Sequence, residues 1–269
     1  MKHTSSTRNE ALSVNRFNHY FSSPLRTKLH ELFILQEIGS TNNFLMDYDG
    51  PPPGKVVVCL AEQQTAGRGT NGREWQSRAG ASFIYSIAWK SGLSLQALAG
   101  MSLAVGVCVQ NVLEDMGFRG IKLKWPNDLL VGSAKLGGIL LETKQEQDGL
   151  KVVCGIGINI LDLIDPSEID QEITSLDKLG EITNCSRNEL GARLSRKLIE
   201  LFDNYQESGF QDWQGRWEKL HSQQGKHISF VRSERELTGT VTGVDLSGAL
   251  QIQTSDGVIK ILSPDELSN

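Results

Sequence analysis

Residues 56–89 have the sequence VVVCLAEQQTAGRGTNGREWQSRAGASFIYSIAW. This stretch contains a glycine-rich loop, and the residues on either side of the loop decide which ligand-binding fold it belongs to. The glycines within residues 66–75 let backbone N–H groups approach a ligand closely, and two arginines supply guanidinium groups that match phosphate or carboxylate. Three kinds of ligand suit such a loop: a dinucleotide, a nucleoside triphosphate or an acyl-adenylate. A flexible surface loop without a ligand is the plain alternative.

The sequence around the loop excludes two common phosphate-binding folds. Gly67, Gly69 and Gly72 match the spacing of the dinucleotide-binding pattern, which requires a strand immediately before it and a helix after it. Residues 56–60 form a predicted buried strand, but polar residues separate it from the first glycine, and residues 83–89 have the composition of another strand. A Walker loop is excluded because no Gly-Lys-Ser or Gly-Lys-Thr follows. The loop therefore belongs to a strand-rich domain of another kind.

The composition of the 269-residue chain is that of an ordinary globular protein. Its net charge of -5 at pH 7 argues against a general attraction to nucleic acid. Neither a signal peptide nor a membrane-spanning segment is recognisable, so we expect a cytoplasmic protein with no nucleic-acid or membrane partner. Cys59, Cys108, Cys154 and Cys185 are far apart and three lie in apolar runs, which predicts buried thiols rather than a metal site or disulfides.

Hydrophobic patterning divides the chain into three predicted segments. Residues 1–28 are mostly polar, so we expect a flexible N-terminal tail. Residues 29–222 alternate apolar strands with amphipathic helices, which predicts an α+β domain whose helices pack on a mixed β-sheet. Residues 223–269 contain short alternating strands and glycine-containing turns, the pattern of a small β-barrel. A barrel of this size is marginally stable alone, so it should dock on the larger domain.

Two of the predicted helices have recognisable start signals, and one of them also has a stop signal. Apolar residues recur at helical spacing from Leu95 to Leu113, with Ser94 as the N-cap and Gly117 as the stop signal. A later helix opens at residues 186–189, where Ser-Arg-Asn-Glu forms a capping box.

Four further motifs place polar groups beside turns or glycines. Ser40-Thr41-Asn42 follows a strand and suits a compact polar ligand head, although it equally suits a helix N-cap. Lys124-Trp125-Pro126-Asn127-Asp128 crowds a lysine, an amide and a carboxylate into one turn. In Lys135-Leu136-Gly137-Gly138, a cation precedes two glycines whose missing side chains allow a ligand to approach the backbone. Gly155-Ile156-Gly157-Ile158-Asn159 ends a buried strand with an amide side chain. Taken singly, Lys135 is also an ordinary hairpin lysine, Asp128 a turn carboxylate and Asn159 a strand terminator.

Taken in chain order, these motifs and residues 64–69 closely resemble the biotin protein ligase family over about residues 33–269. The resemblance implies the biotin/lipoyl ligase fold, which is similar to class II synthetases, with an SH3-like barrel at the C-terminus. It implies that biotin and ATP form biotinyl-5′-AMP, and that a lysine of a biotin carboxyl carrier protein then receives the biotinyl group. ATP would act with Mg²⁺, for which we assign no direct protein ligand, and homodimerisation stays open.

The family pattern implies a role for each matching residue. The implied biotin pocket consists of Ser40, Thr41, Asn42, Gln64, Arg68, Gly69, Thr70 and Lys135. The implied ATP and adenylate contacts are Arg68, Arg73, Trp75, Asn127, Lys135 and Asn159. Arg68 and Lys135 would hold the carboxylate and the α-phosphate together, and Asp128 would orient the acceptor lysine, help to deprotonate it or act through the metal. The glycine-rich loop would close over the adenylate and exclude water.

The chain departs from the family pattern in two places. Many members carry arginine where this chain has Thr70, so retention of the adenylate should depend more on Arg68, Arg73 and Lys135. Repressor-type members carry an N-terminal winged helix-turn-helix, which the polar tail is too short to form, so we expect a monofunctional ligase. A lipoate or octanoate ligase or transferase of the same fold and a non-catalytic biotin-binding module are the alternatives.

Overall fold

The computed structural model describes residues 10–22, 24–147, 149–162, 171–180, 186–232, 235–261 and 267. The helices in these segments are α1 (Val14–Tyr20), α2 (Thr41–Asp47), α3 (Met101–Asp115), α4 (Arg187–Ser208) and α5 (Gln211–Leu220). The strands are β1 (Leu29–Ile38), β2 (Val56–Gln64), β3 (Ser82–Ser91), β4 (Ile121–Lys124), β5 (Asp128–Val131), β6 (Ala134–Glu146), β7 (Gly149–Asn159), β8 (His227–Arg232), β9 (Arg235–Val244), β10 (Leu250–Thr254) and β11 (Gly257–Ile261).

A seven-stranded sheet in the order β1-β2-β3-β7-β6-β5-β4 forms the framework of the larger domain. Strands β1 and β2 are parallel, and the other neighbouring pairs are antiparallel. The predicted mixed sheet with packed helices is therefore confirmed. Since β3 and β7 lie at its centre, the residues at their ends meet neighbours from both halves of the sheet.

Strand β2 shows why helices cover both faces of this sheet. Val57 and Cys59 belong to a small apolar cluster with Leu45 of α2, whereas Val58 and Leu60 belong to the main core, to which α3 and α4 contribute. Alternate side chains of a strand point to opposite faces, so a continuous apolar run is buried only when both faces are covered.

A buried lysine anchors the C-terminal end of α2. Lys151 on β7 is 2% exposed, and its ammonium group donates hydrogen bonds to the carbonyl oxygens of Met46, at 2.8 Å, and of Tyr48. It also pairs with Glu146 at 3.2 Å. The last carbonyls of a helix lack partners within the helix and attract cations, so Lys151 fixes the position of α2 on the sheet.

The N-terminal segment differs from the expectation of a flexible tail. In its described part, α1 packs on α4, and Phe17 and Phe21 are buried in the main core. Leu12 N–H donates to one carboxylate oxygen of Glu62 at 2.7 Å, and Arg187 pairs with the other at 2.6 Å. The expectation is wrong here because backbone groups of residues 11–13 bond to buried side chains from distant parts of the chain; residues 1–9 lie outside the described residues.

Helix α3 begins at Met101 rather than just after Ser94. Gly100, which precedes it, has φ of 81°, a conformation that favours glycine, and a Cβ atom there would lie 2.6 Å from the ring of Phe210. Residues 95–100 form a turn, before which the Ser94 hydroxyl accepts from Ala97 N–H at 3.2 Å. The predicted stop at Gly117 is confirmed, since its φ is 97° just after the helix.

Strands β8–β11 form a four-stranded antiparallel sheet in the order β11-β10-β9-β8. Its buried residues, such as Val241 and Leu250, join the main core, and Gln214 of α5 donates to the Val244 carbonyl at 2.6 Å. The predicted C-terminal β-structure is confirmed as this docked sheet, whose described strands do not close into a barrel. Among the described residues, no helix has the length and apolar character required to span a membrane.

Candidate active site

A cavity of about 790 Å³ opens where the ends of β2, β6 and β7 meet α2 and the glycine-rich loop. The thirteen residues predicted for the site all line it: Ser40, Thr41, Asn42, Gln64, Arg68, Gly69, Thr70, Arg73, Trp75, Asn127, Asp128, Lys135 and Asn159. The structure therefore brings together residues that are up to 119 positions apart in the chain.

A neutral hydrogen-bond network lies at the start of α2. Thr41 N–H and its hydroxyl approach the Gln64 side-chain oxygen at 2.7 and 3.0 Å. The same hydroxyl lies 2.7 Å from that of Ser86, which donates to the Asn42 side-chain oxygen at 2.6 Å. Ser40 is the N-cap, with its hydroxyl accepting from Asn43 N–H at 3.4 Å. These groups are pre-organised to bind a compact ligand with both donors and acceptors.

Ser86 is a cavity residue that the sequence motifs do not include. It lies in the middle of β3, opposite Cys59 on one side and Gly155 on the other. Its surroundings in the sequence are those of an ordinary buried strand. Its polar partners come from another element, so no local pattern could have identified it.

The glycines of β7 make room for two site residues. A Cβ atom on Gly155 would lie 2.4 Å from the Asn42 side-chain oxygen, and one on Gly157 would lie 2.5 Å from the indole ring of Trp75. The two glycines of the Gly-Ile-Gly-Ile-Asn motif therefore leave space for the side chains of Asn42 and Trp75. Gly137 likewise allows close packing on β7, whereas a Cβ on Gly138 would make only ordinary contacts.

The glycine-rich loop forms a small hairpin. Trp75 N–H donates to the Gly67 carbonyl at 3.0 Å, and Gly69 N–H donates to the Arg73 carbonyl at 2.8 Å. Asn71 at the tip has φ of 56°, which asparagine tolerates better than most residues. The Arg68 guanidinium group pairs with Glu142 of β6, which also accepts from the Asn42 amide at 2.9 Å. Glu142, absent from the predicted site, thus connects the loop to α2.

The cationic end of the cavity lies at β5 and β6. The Lys135 ammonium group is 2.8 Å from the Asp128 carboxylate, and both side chains are mostly buried. Hydrogen bonds at 2.8 and 2.9 Å join the Lys135 backbone to Glu172 and Thr174. These two backbone hydrogen bonds fix the position of the Lys135 backbone, and its side chain remains in the cavity.

Asn127 holds the turn before β5 against neighbouring elements. Its amide donates to the Ile139 carbonyl at 2.9 Å and approaches the Thr70 hydroxyl at 3.5 Å. The backbone of Asn127 also accepts from Ile139 N–H at 2.9 Å. The amide nitrogen therefore has structural partners, and a role in ligand binding would fall mainly to its oxygen.

Two buried polar atoms lining the cavity have no hydrogen-bond partner among the described residues. They are the indole nitrogen of Trp75 and the side-chain oxygen of Asn159. The Asn159 amide nitrogen donates to the Thr174 carbonyl at 3.0 Å, which leaves its oxygen free to accept. Buried polar atoms are rarely unpaired, so this region suits a ligand that presents both an acceptor and a donor.

The described cysteines are free and buried at positions 59, 108 and 154, as expected, and Cys185 lies outside the described residues. Burial raises the pKa of Cys59 to about 12, so its thiol stays protonated near neutral pH. Within the described segments no three His, Cys, Asp or Glu side chains are arranged to hold a metal ion.

Comparison with known proteins identifies the family. Residues 35–159 match the biotin/lipoate A/B protein ligase family, and residues 225–263 match the biotin protein ligase C-terminal domain. The chain is 35% identical over 237 residues to the bifunctional ligase/repressor BirA of Escherichia coli strain K12, covering 87% of this chain and 73% of that protein. It is 37% identical over 179 residues to a biotin–acetyl-CoA-carboxylase ligase of Mycobacterium tuberculosis, covering 62% of each.

A solved structure agrees with these matches over nearly its whole length. The biotin protein ligase of Aquifex aeolicus, determined in complex with biotin and ATP, superposes with a TM-score of 0.75 at 28% identity. The alignment covers 89% of this chain and 98% of that one. This chain belongs to the biotin protein ligase family.

Proposed function

We propose that this chain activates biotin with ATP to biotinyl-5′-AMP and transfers the biotinyl group to a lysine of a biotin carboxyl carrier protein. The observation that supports this most strongly is the composition of the cavity. A neutral donor and acceptor network lies at the start of α2, and the cations Arg68 and Lys135 line the same space. A neutral polar head joined to an anionic tail fits this arrangement.

The neutral network suits the ureido ring of biotin, which has a carbonyl acceptor and two N–H donors. Thr41 and Ser86 supply hydroxyl groups, and Asn42 supplies an amide. The dithiolane ring of lipoate has none of the corresponding groups and would leave buried polar atoms unpaired. A site built around such hydrogen bonds rejects a ligand that lacks them, which favours biotin over the lipoate alternative.

In the first step, a biotin carboxylate oxygen attacks the α-phosphorus of ATP. The bond from that phosphorus to the bridging oxygen breaks, and pyrophosphate leaves with the electron pair. Arg68 and Lys135 reduce the repulsion between the two anions and stabilise the charge that develops. In the structure these cations pair with Glu142 and Asp128, so the substrate oxygens would replace or join these carboxylates as partners.

In the second step, the neutral amine of the acceptor lysine attacks the carbonyl carbon of the adenylate, and AMP leaves. The amine must lose a proton, and Asp128 is the carboxylate at this end of the cavity that could orient it or receive the proton. Its 2.8 Å contact with Lys135 holds the two groups together at the cationic end of the cavity, which supports a shared role in both steps. The hairpin over residues 67–75 would limit the access of water to the adenylate.

ATP would enter with Mg²⁺, which neutralises phosphate charge. The cavity offers Asp128 and Glu74 as carboxylates, and no described group of three acidic, His or Cys side chains forms a cage. This donor set fits an ion held mainly by phosphate oxygens and water, with Asp128 as the carboxylate nearest to the lysine. Trp75 and Asn159 carry the unpaired polar atoms that suit the adenosine part.

Biotin-dependent exchange of pyrophosphate into ATP tests the first step, and labelled biotin transfer to a carrier domain tests the second. Replacing Lys135 with alanine should lower the exchange rate on the order of 10²–10³-fold, because a cation aimed at the developing charge is lost. Lys144→Ala, an exposed position on the same strand, is the matched control and should leave the rate unchanged. Equal exchange with lipoate and biotin, or none with biotin, would contradict the proposal.

A further inference from the structure

We propose that the loop over residues 245–249, which joins β9 to β10 in the C-terminal sheet, is a positioning element of the active site. It acts by holding Trp125, and through it the turn that carries Asn127 and Asp128. This inference rests on the proposed function; residues 245–249 and Trp125 themselves do not line the cavity.

The contact between this loop and the active-site turn is close and specific. The indole N–H of Trp125, a residue that is 5% exposed, donates to the Gly248 carbonyl at 2.8 Å. Gly248 has φ of 77°, and a Cβ atom there would lie 2.7 Å from the Gly100 Cα atom. The loop is therefore wedged between the active-site turn and the start of α3, and only glycine fits at the point of contact.

Asp245 gives the loop its shape. One of its carboxylate oxygens accepts from Ser247 N–H at 2.8 Å, from the Ser247 hydroxyl at 2.6 Å and from Ala249 N–H at 3.1 Å. Its backbone N–H donates to the Ala249 carbonyl, and its carbonyl accepts from Gly248 N–H, both at 2.9 Å. An aspartate that bonds to the N–H two residues ahead is a stable turn device, so the Gly248 carbonyl is presented in one direction.

The effect of the loop should be selective for one end of the cavity. Trp125 lies directly before Pro126 and three residues before Asp128, which pairs with Lys135. In the neutral network, Thr41 and Asn42 lie on α2 and Ser86 lies on β3. The hydrogen bonds among these three residues do not involve this turn. Loss of the anchor should therefore disturb the chemical steps while the biotin pocket stays intact.

Three variants test the inference. Asp245→Ala removes the acceptor that shapes the loop, whereas Asp245→Asn keeps a side-chain oxygen at the same place. Leu246→Ala changes a neighbouring side chain that is 58% exposed and is the matched control. For each variant we would measure kcat for biotin-dependent exchange, equilibrium binding of biotin by calorimetry, and unfolding in urea.

Asp245→Ala should lower kcat on the order of 10–100-fold with biotin affinity unchanged, because small displacements of reacting groups have effects of this size. Asp245→Asn and Leu246→Ala should remain close to the unsubstituted chain. Unchanged kcat in Asp245→Ala would overturn the inference, and so would parallel losses of kcat and biotin affinity, which indicate general loss of structure.

If Asp245→Ala does not fold, Trp125→Phe decides the question, because it removes the N–H that bonds to Gly248 and retains an aromatic ring. It should lower kcat without lowering biotin affinity, and an unchanged kcat would overturn the inference. Failure of the proposed function is seen separately, as an absence of biotin-dependent exchange in the unsubstituted chain.

Discussion

Replacing Gly155 with alanine tests how the sheet shapes the biotin pocket. The added Cβ would lie 2.4 Å from the Asn42 side-chain oxygen, whereas ordinary contacts begin at 3.4 Å. One of the two groups must therefore move by about 1 Å. Gly155 is paired on both sides in the centre of the sheet, so the backbone resists movement and Asn42 must yield.

Displacement of Asn42 has two costs. Its amide group accepts from Ser86 at 2.6 Å and donates to Glu142 at 2.9 Å, and the residue is buried. Overpacking costs about 1–3 kcal/mol, and one buried hydrogen bond left unmade costs about 1–3 kcal/mol. We expect Gly155→Ala to lower the free energy of unfolding by about 2–6 kcal/mol. Biotin should bind at least about tenfold more weakly, because a ligand contact is misplaced.

Urea unfolding and calorimetric biotin binding measure these two effects. Gly215→Ala is the matched control, because Gly215 lies on the exposed side of α5 and a Cβ atom there meets nothing within 4 Å. This control should raise stability by about 0.5–1 kcal/mol, since alanine favours helix, and should bind biotin normally. Normal biotin affinity in Gly155→Ala, with the expected loss of stability or without it, would refute the assigned role of Asn42.

Three further predictions concern other parts of the chain. Thr70→Arg should slow the release of labelled biotinyl-AMP by adding a cation beside the phosphate, and an unchanged release rate would contradict this. Lys151→Met should destabilise the chain by about 1–3 kcal/mol in urea unfolding, because carbonyls at the end of α2 lose their partner. Burial lowers the pKa of His221 to about 4 from its ordinary 6.5, so the unfolded chain binds the proton more readily. The free energy of unfolding should therefore fall by about 2 kcal/mol between pH 7.5 and pH 5. His221→Gln should reduce that fall, and His30→Gln at an exposed position should not.

The N-terminal segment shows where sequence patterns fail. Polar composition predicts a loose tail when polar groups are assumed to need water. In this chain Glu62 and Arg187 supply buried partners for it, and Phe17 and Phe21 complete the core. The partners come from elements that are 50 or more residues away, so the sequence around the segment holds no sign of them.

Helix α3 begins at Met101 and not next to Ser94, again because of a contact with a residue far away in the sequence. Its apolar spacing is correct, but Gly100 must take a positive φ where the chain packs against Phe210. Periodicity reports which residues are buried and does not report whether the backbone between them is helical throughout. The position of the helix start thus depends on a distant side chain.

The sequence by itself predicted thirteen residues that line one cavity, because the glycines, the lysines and the polar clusters occur in a recognisable order along the chain. It also determined the alternation of strands and helices, which local periodicity encodes. Only the tertiary structure decided that Gly155 and Gly157 make room for Asn42 and Trp75, and that Glu142 pairs with Arg68. Such contacts depend on strand register and on the packing of elements far apart in the chain, which no local pattern contains.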